Sequence, residues 1–170
     1  MLLVSFFRNL IRKIKKRYYT AMARKIAQSS GNDLRVNFKS VFLGKIYFGN
    51  NCNFNGMTVR GNGECHFGNN FHSGENCLIL TQNHNYEGES IPYDSTYIYK
   101  TVIIEDNVWF GDRVIVVGNI TIGEGAIIAA GAVVVSDVQK YAIVGGNPAK
   151  FIKYRDINHY IELKKINRVH

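Results

Sequence analysis

Large apolar residues return every six positions along IIEDNVWFGDRVIVVGNITIGEGAIIAAGAVVVSDV, at Ile104, Phe110, Val116, Ile122, Ile128 and Val134. Four places after each stands a second apolar or small residue: Val108, Val114, Ile120, Ala126, Ala132 and Val138. Helices repeat every 3.6 residues and strands every two, so a period of six keeps the strand alternation while cutting it into short pieces. Asn107, Asn119, Gly125, Gly131 and Asp137 occupy the place between strands, and these are residue types that accept tight turns and positive φ. The pattern predicts short strands joined by bends of one sense, stacked coil on coil at about 4.8 Å with the apolar rows inside. A helical reading fails, because the window is rich in β-branched residues and glycine and has no 3.6-residue period.

The beat extends upstream through Val36, Phe42, Phe48 and Phe54, with Ser40, Ile46, Cys52 and Thr58 in the second position. A one-residue slip is expected in VRGNGECHF, after which Gly61, Phe67, Ser73 and Ile79 carry the register, with Cys65, Phe71 and Cys77 in the second position. The numerous Phe residues predict wider or less regular early coils. Residues 81–101, TQNHNYEGESIPYDSTYIYKT, break the beat. A break of this length inside a regular array is expected to be functional. It places His84 where the chain leaves a rigid wall, beside a mobile flap. A single histidine is also an ordinary surface residue, and His66 and His72 are expected to be outward-facing turn residues.

Residues 1–35 form a separate segment. Its apolar residues Leu3, Phe7, Leu10, Ile14, Tyr18, Met22 and Ile26 keep helical spacing, with Lys and Arg between them. The apolar run is too short to span a bilayer, and no small-residue cleavage site follows it. Two readings stand: a helix that covers one open end of the solenoid, or peripheral contact of residues 1–28 with anionic lipid at the inner membrane face. Residues 36–145 are the solenoid. Residues 146–170 end in a short helix, with Ile157, Tyr160, Ile161 and Leu163 packing on the last coil and closing its edge.

Charge sharpens this division. The whole chain carries a formal net charge of +8, and nine Lys/Arg against the single Asp33 place all of it in residues 1–35. The solenoid therefore offers no basic face, and nucleic acid is not an expected partner. The three cysteines, Cys52, Cys65 and Cys77, fall on core positions without paired spacing, which predicts reduced thiols and a cytoplasmic protein.

Four further stretches carry a resemblance: NH at 83–84, DNVWFGDRV at 106–114, TIGEGAIIAAGAVVVSDV at 121–138 and AIVGGNPAKFIK at 142–153. In this order the chain resembles the hexapeptide-repeat acyltransferases, most closely the galactoside and maltose O-acetyltransferase branch with its polysaccharide-modifying relatives, over about residues 45–155. The resemblance implies an all-β left-handed parallel β-helix assembled as a homotrimer. Active sites would lie between subunits, with acetyl-CoA as co-substrate, a saccharide as acceptor and no metal. His84 matches the catalytic base. Trp109, Gly111, Asp112, Ala130, Lys150 and Lys153 match cofactor-binding positions, and Asn53, Asn83 and Tyr97 match the acceptor side. Val135 and Ser136 depart from the family's Thr-Lys pair, Lys150 and Lys153 replace arginines and so lose the planar fork, and the basic first segment replaces an acidic, aromatic one.

The chemistry expected from this set is general-base catalysis. A hydroxyl is a weak nucleophile until a base takes its proton, and imidazole titrates near neutrality. Backbone N–H groups at coil turns are the candidates for holding the oxyanion. Other readings remain open: N-acetylation of a nucleotide-linked amino sugar, a metal site built from His66, His72 and His84 across an interface, and a non-catalytic solenoid.

Overall fold

The structure, a computed structural model, describes residues 2–170, with side chains from Val4 onward, so the side chain of Leu3 lies outside the described residues. The chain winds into a three-sided parallel β-helix of strands two to four residues long. Face A stacks Ser29–Ser30, Lys45–Phe48, Glu64–Phe67, Thr101–Ile104 and Ile120–Ile122. Face B stacks Arg35–Phe38, Asn53–Asn55, His72–Glu75, Trp109–Phe110, Ile127–Ile128 and Ala142–Gly145, with Lys150–Tyr154 added antiparallel at its edge. Face C stacks Val41–Phe42, Thr58–Arg60, Leu78–Leu80, Ile115–Val117 and Val133–Val134. Pairing thus begins at Ser29, ahead of the boundary expected at residue 36, and runs on through Tyr154.

The six-residue beat is the core. Ile104, Phe110, Val116, Ile122, Ile128 and Val134, with the residue four places after each, are all buried inside the prism. Upstream, Ser40 is half-buried and outside the core, and the register differs from the expected one in two further places. Val59, five residues after Phe54, points inward with Met57 beside it, so Thr58 is not a core position. Gly61 is a corner residue rather than a core one, and the beat returns at Cys65 and Phe67. The single slip is therefore one residue lost before Val59 and two gained after it. Here Phe42, Phe48, Phe54, Phe67, Phe71 and Phe110 contact one another edge-on or tilted, centroids 4.9–5.3 Å apart in the closest pairs. Such pairs add about 0.5–1.5 kcal/mol each beyond their burial, and six rings fill coils of unequal length.

The corners use two devices. Between faces A and B, Asn51, Asn70 and Asn107 adopt positive φ of 53–60°. Their side chains form a ladder, Asn51 Nδ2 donating to Asn70 Oδ1 at 3.0 Å and Asn70 Nδ2 to Asn107 Oδ1 at 2.8 Å. Between faces C and A, Asn119 and Asp137 keep negative φ and instead accept from the backbone N–H of Thr101 and Thr121, at 2.8 and 2.7 Å. Arg113 takes a left-handed turn at φ 57° that its residue type does not announce.

Helix α1 (Leu2–Ile26) covers the first coil, but not with the row expected to do so. Ala23 is buried, Tyr19 and Ala27 pack on the core, and Thr20 Oγ1 accepts from the edge amide of Val36 at 3.0 Å. The apolar row Phe7, Leu10, Ile14, Tyr18, Met22 and Ile26 stays exposed.

The C-terminal segment also differs from expectation. The edge of face B is closed by Lys150–Tyr154 rather than by helix α2 (Ile157–Lys165). Helix α2 is N-capped by Asp156, whose carboxylate accepts from His159 N at 3.0 Å, and it lies along the corner between faces A and B. There Tyr160 is buried, accepting from Asn107 Nδ2 and donating to Glu124 Oε1, both at 2.8 Å, and Lys164 pairs with the same carboxylate. Burial pushes the Glu124 carboxyl up, but the hydrogen bonds from Lys164 and Tyr160 outweigh it and hold it below the usual glutamate range. A carboxyl depressed in the folded state contributes stability above its unfolded value, about 4.3, which is lost as pH falls through the folded value. Glu124→Gln is accordingly expected to lower stability by about 1–3 kcal/mol near neutral pH, with the difference from the parent chain shrinking below about pH 4. Urea melts of both proteins at pH 7 and pH 3.5 measure it.

Candidate active site

Thr81 marks the point where the chain leaves the wall. It is fully buried, its N–H donates to Arg60 O at 2.8 Å, and its carbonyl accepts from Lys100 N at 2.9 Å, so exit and return are pinned together. Gly63 lies beneath this junction, where a Cβ would overlap the carbonyl oxygens of Thr81 and Lys100. The excursion is an antiparallel ribbon, Gln82–His84 against Tyr97–Tyr99, with His84 opposite Tyr97. Its tip is tied by Asp94, whose carboxylate accepts from Thr96 N at 2.8 Å, Thr96 Oγ1 at 2.6 Å and Glu89 N at 3.3 Å. Thr96 thereby holds the Asp94 carboxyl below its ordinary range. The excursion is thus a hydrogen-bonded hairpin.

His84 is exposed, and aromatic rings fix it. Tyr93 stacks on the imidazole at 3.9 Å and 20°, and Tyr97 tilts against it at 4.8 Å and 39°. Asn83 stands next to it. With its amide turned to satisfy both ends, Oδ1 accepts from Lys100 Nζ at 3.0 Å and Nδ2 donates to Gln82 O at 2.9 Å. His84, Asn83 and Tyr97 are therefore brought together. Tyr93 was not legible in the sequence, because it lies in an irregular loop and reaches the imidazole only through the fold of the hairpin.

A second group lies elsewhere. Backbone register puts Arg35, Asn53, His72, Trp109, Ile127, Ile143 and Lys153 in one row across face B, on the outward side of strands whose alternate residues fill the core. Trp109 is 54% exposed. Lys150 starts the last strand, opposite Gly145. The corner between faces B and C is lined by small residues. A Cβ on Gly111 would come within 2.6 Å of Ala130 N, and one on Gly74 within 2.6 Å of Asp112 N. Asp112 Oδ1 accepts from Glu75 N at 2.7 Å, so part of its carboxylate braces the corner. Gly111 has a packing reason to be glycine whatever else it does. Asn53 sits in this row, its Oδ1 accepting from Asn37 Nδ2 at 2.6 Å, and is thereby parted from His84.

Helix α2 and the chain after it wall one side of face B. They enclose a groove of about 360 Å³ lined by Trp109, Ile127, His72, Arg155, Lys164 and His170, among others. Burial, with the charges of His170 and Arg35, holds the His72 pKa below the ordinary imidazole value. No repeat or motif marks Arg155 for this place. Its guanidinium lies 4.6 Å over the Tyr160 ring and donates to Gly125 O at 3.0 Å.

Within one chain these groups face apart, since the hairpin leaves the corner between faces C and A, across the prism from face B. His66, on face A, stacks on Tyr47 at 4.2 Å. His66 and His72 are strand residues rather than turn residues, and with His84 they stand on three different sides. The cysteines are free and buried, and burial pushes the Cys52 and Cys77 thiols up to about 12 and about 11, and that of Cys65 up as well. None is poised as a thiolate nucleophile.

Comparison with known proteins adds the following. The family described as "Bacterial transferase hexapeptide (six repeats)" matches residues 101–136, the two most regular coils. A Schizosaccharomyces pombe protein named as an acetyltransferase is 36% identical over 115 residues, 67% of this chain and 53% of its own. The chain spans from about a quarter to about half the length of the curated relatives it matches. Among solved structures, a maltose O-acetyltransferase from Clostridium difficile 630 aligns with TM-score 0.61 and 24% identity, over 80% of this chain and 74% of its own. AntD, an N-acyltransferase from Bacillus cereus solved with dTDP and 3-hydroxybutyryl-CoA, aligns with TM-score 0.66 and 20% identity, over 85% and 84%. At these identities the structures speak for the fold.

Proposed function

We propose, from the match of the coil wall over residues 101–136 to the bacterial transferase hexapeptide family, that the protein transfers an acetyl group from acetyl-CoA to a hydroxyl of a saccharide. The observation that carries the proposal is the His84 imidazole, exposed yet held by Tyr93 and Tyr97 at the root of the long excursion from the wall. As the acceptor oxygen bonds the acetyl carbon, a ring nitrogen of His84 takes the hydroxyl proton. When the carbon–sulfur bond breaks, that proton passes to the departing thiolate, leaving an ester, free CoA thiol and neutral imidazole. Asn83 and Tyr97, beside the imidazole, are the acceptor contacts in this reading.

Face B has the composition to receive the cofactor. Trp109 offers an exposed ring, Lys150 and Lys153 supply positive charge at one end, and Gly111 and Ala130 make a corner without bulky side chains. Because His84 and this row lie on opposite sides of a single prism, a shared site requires two chains meeting head to tail. Such a contact closes into a ring when its rotation divides the circle evenly, and a homotrimer is the assembly proposed.

A second acceptor suits the same chemistry, the amino group of a nucleotide-linked sugar, whose proton the same imidazole can take. Release of free thiol from acetyl-CoA, followed against glycosides, oligosaccharides and nucleotide-linked amino sugars, tests both. Release that depends on a hydroxyl acceptor supports the first reading, release only with an amine supports the second, and none with any acceptor overturns acyl transfer.

A further inference from the structure

We infer that the outer side of α1 is a docking surface for an anionic lipid bilayer. The helix has two faces, and the solenoid uses only one. Tyr19, Ala23 and Ala27 pack on the core, whereas at 100° per residue Phe7, Leu10, Ile14 and Tyr18 fall about 140–180° round the helix from Ala23. Each of those four is 43–60% exposed. A large apolar row held away from its own protein is a contact surface rather than a core element. Facing away from the prism, it can meet a flat surface without obstruction from the coils.

Charge names the occupant. Residues 1–32 hold Arg8, Arg12, Lys13, Lys15, Lys16, Arg17, Arg24 and Lys25 with no Asp or Glu. Arg8 and Lys15 flank the apolar row on one side and Arg17 on the other, about 65–115° from its centre on a regular helix, while Arg24 turns back to donate to Gly31 O at 3.2 Å. This is the geometry of a helix lying in a membrane interface, apolar row in the acyl boundary and long basic side chains reaching back to phosphate. No helix among the described residues is long and apolar enough to cross a membrane, so the contact is peripheral. A second copy fits worse, because pairing the rows sets these cations against each other with no acidic partner. Nucleic acid would match the cations but leave the Phe and Ile row in water.

The inference stands apart from the acyl-transfer reading, and its test needs no substrate. The full chain is sedimented with vesicles of pure phosphatidylcholine and of phosphatidylcholine with phosphatidylglycerol. Partition into the anionic vesicles is expected to be at least about tenfold greater and to fall at high salt. Phe7→Glu with Ile14→Glu should abolish it without changing the melting temperature, since neither side chain touches the core. Lys15→Gln with Arg17→Gln should weaken only the preference for anionic lipid, and this variant decides the matter if the first one melts lower. Equal partition into both vesicle types, partition into neither, or binding indifferent to both variants would overturn the inference. So would a fall in oligomer size in Phe7→Glu with Ile14→Glu, or tighter binding to duplex DNA than to vesicles.

Discussion

His84→Ala is expected to lower acyl-transfer turnover by about two to four powers of ten, the usual worth of a positioned general base, while leaving the fold intact. The imidazole is exposed and touches only Tyr93 and Tyr97 among the aromatic rings, and the wall beneath it is pinned independently by Thr81, Gly63 and Lys100. Removing the ring therefore removes no core contact, and urea melts and sedimentation should match the parent chain. The Michaelis constant for acetyl-CoA should change little, because the groups proposed to hold it lie on face B. Turnover within a few-fold of the parent would dismiss His84 as the base. A lower melting point together with lower turnover would make it a structural residue of the hairpin.

The same hairpin shows how far the sequence could be read. The beat of six exposed the interior almost residue by residue from Ile104 to Val138, because each inward side chain stacks on its counterpart one coil away and the period leaves no slack. Legibility failed where other forces set the backbone. At Met57 and Val59 a shortened side replaced the expected Thr58, since Gly56, at φ 76°, turns the corner one residue earlier than the beat. Arg113 turns left-handed because its corner has to stack on its neighbours, a tertiary demand that overrides residue preference. The amphipathic row of α1 was legible as a row but not as the outer one, since an apolar stripe states that something must cover it and not what. On the site, His84, Asn83 and Tyr97 lie close in sequence and came together as expected. Tyr93, Arg155 and His72 reach their positions through a loop, a reversed edge strand and a ladder between coils. Asn53 and His84 were both expected at the acceptor, and one chain sets them on opposite sides.

That opposition yields the sharpest test of the assembly. Two variants are required, His84→Ala, lacking the base, and Trp109→Ala with Lys153→Glu, lacking the indole and reversing a charge on face B. Both changes on face B fall on exposed positions, so each variant should fold and each alone should be nearly inactive. Co-expressed in equal amounts, they build rings in which some clefts join an intact hairpin from one chain to an intact face B from its neighbour. Random head-to-tail assembly gives about a quarter of clefts this composition, so activity should return to about a quarter of the parent value from two inactive parents. A site contained in one chain permits no such rescue, because every chain in the mixture carries one lesion. Mixed assemblies, verified by pulling down one tag and detecting the other, that show no activity above either parent would place the site within a single prism and remove the shared cleft. Activity near a quarter requires the imidazole of one chain to work against the indole and lysine row of the next, which is what the opposed faces of the prism demand if both groups serve one reaction.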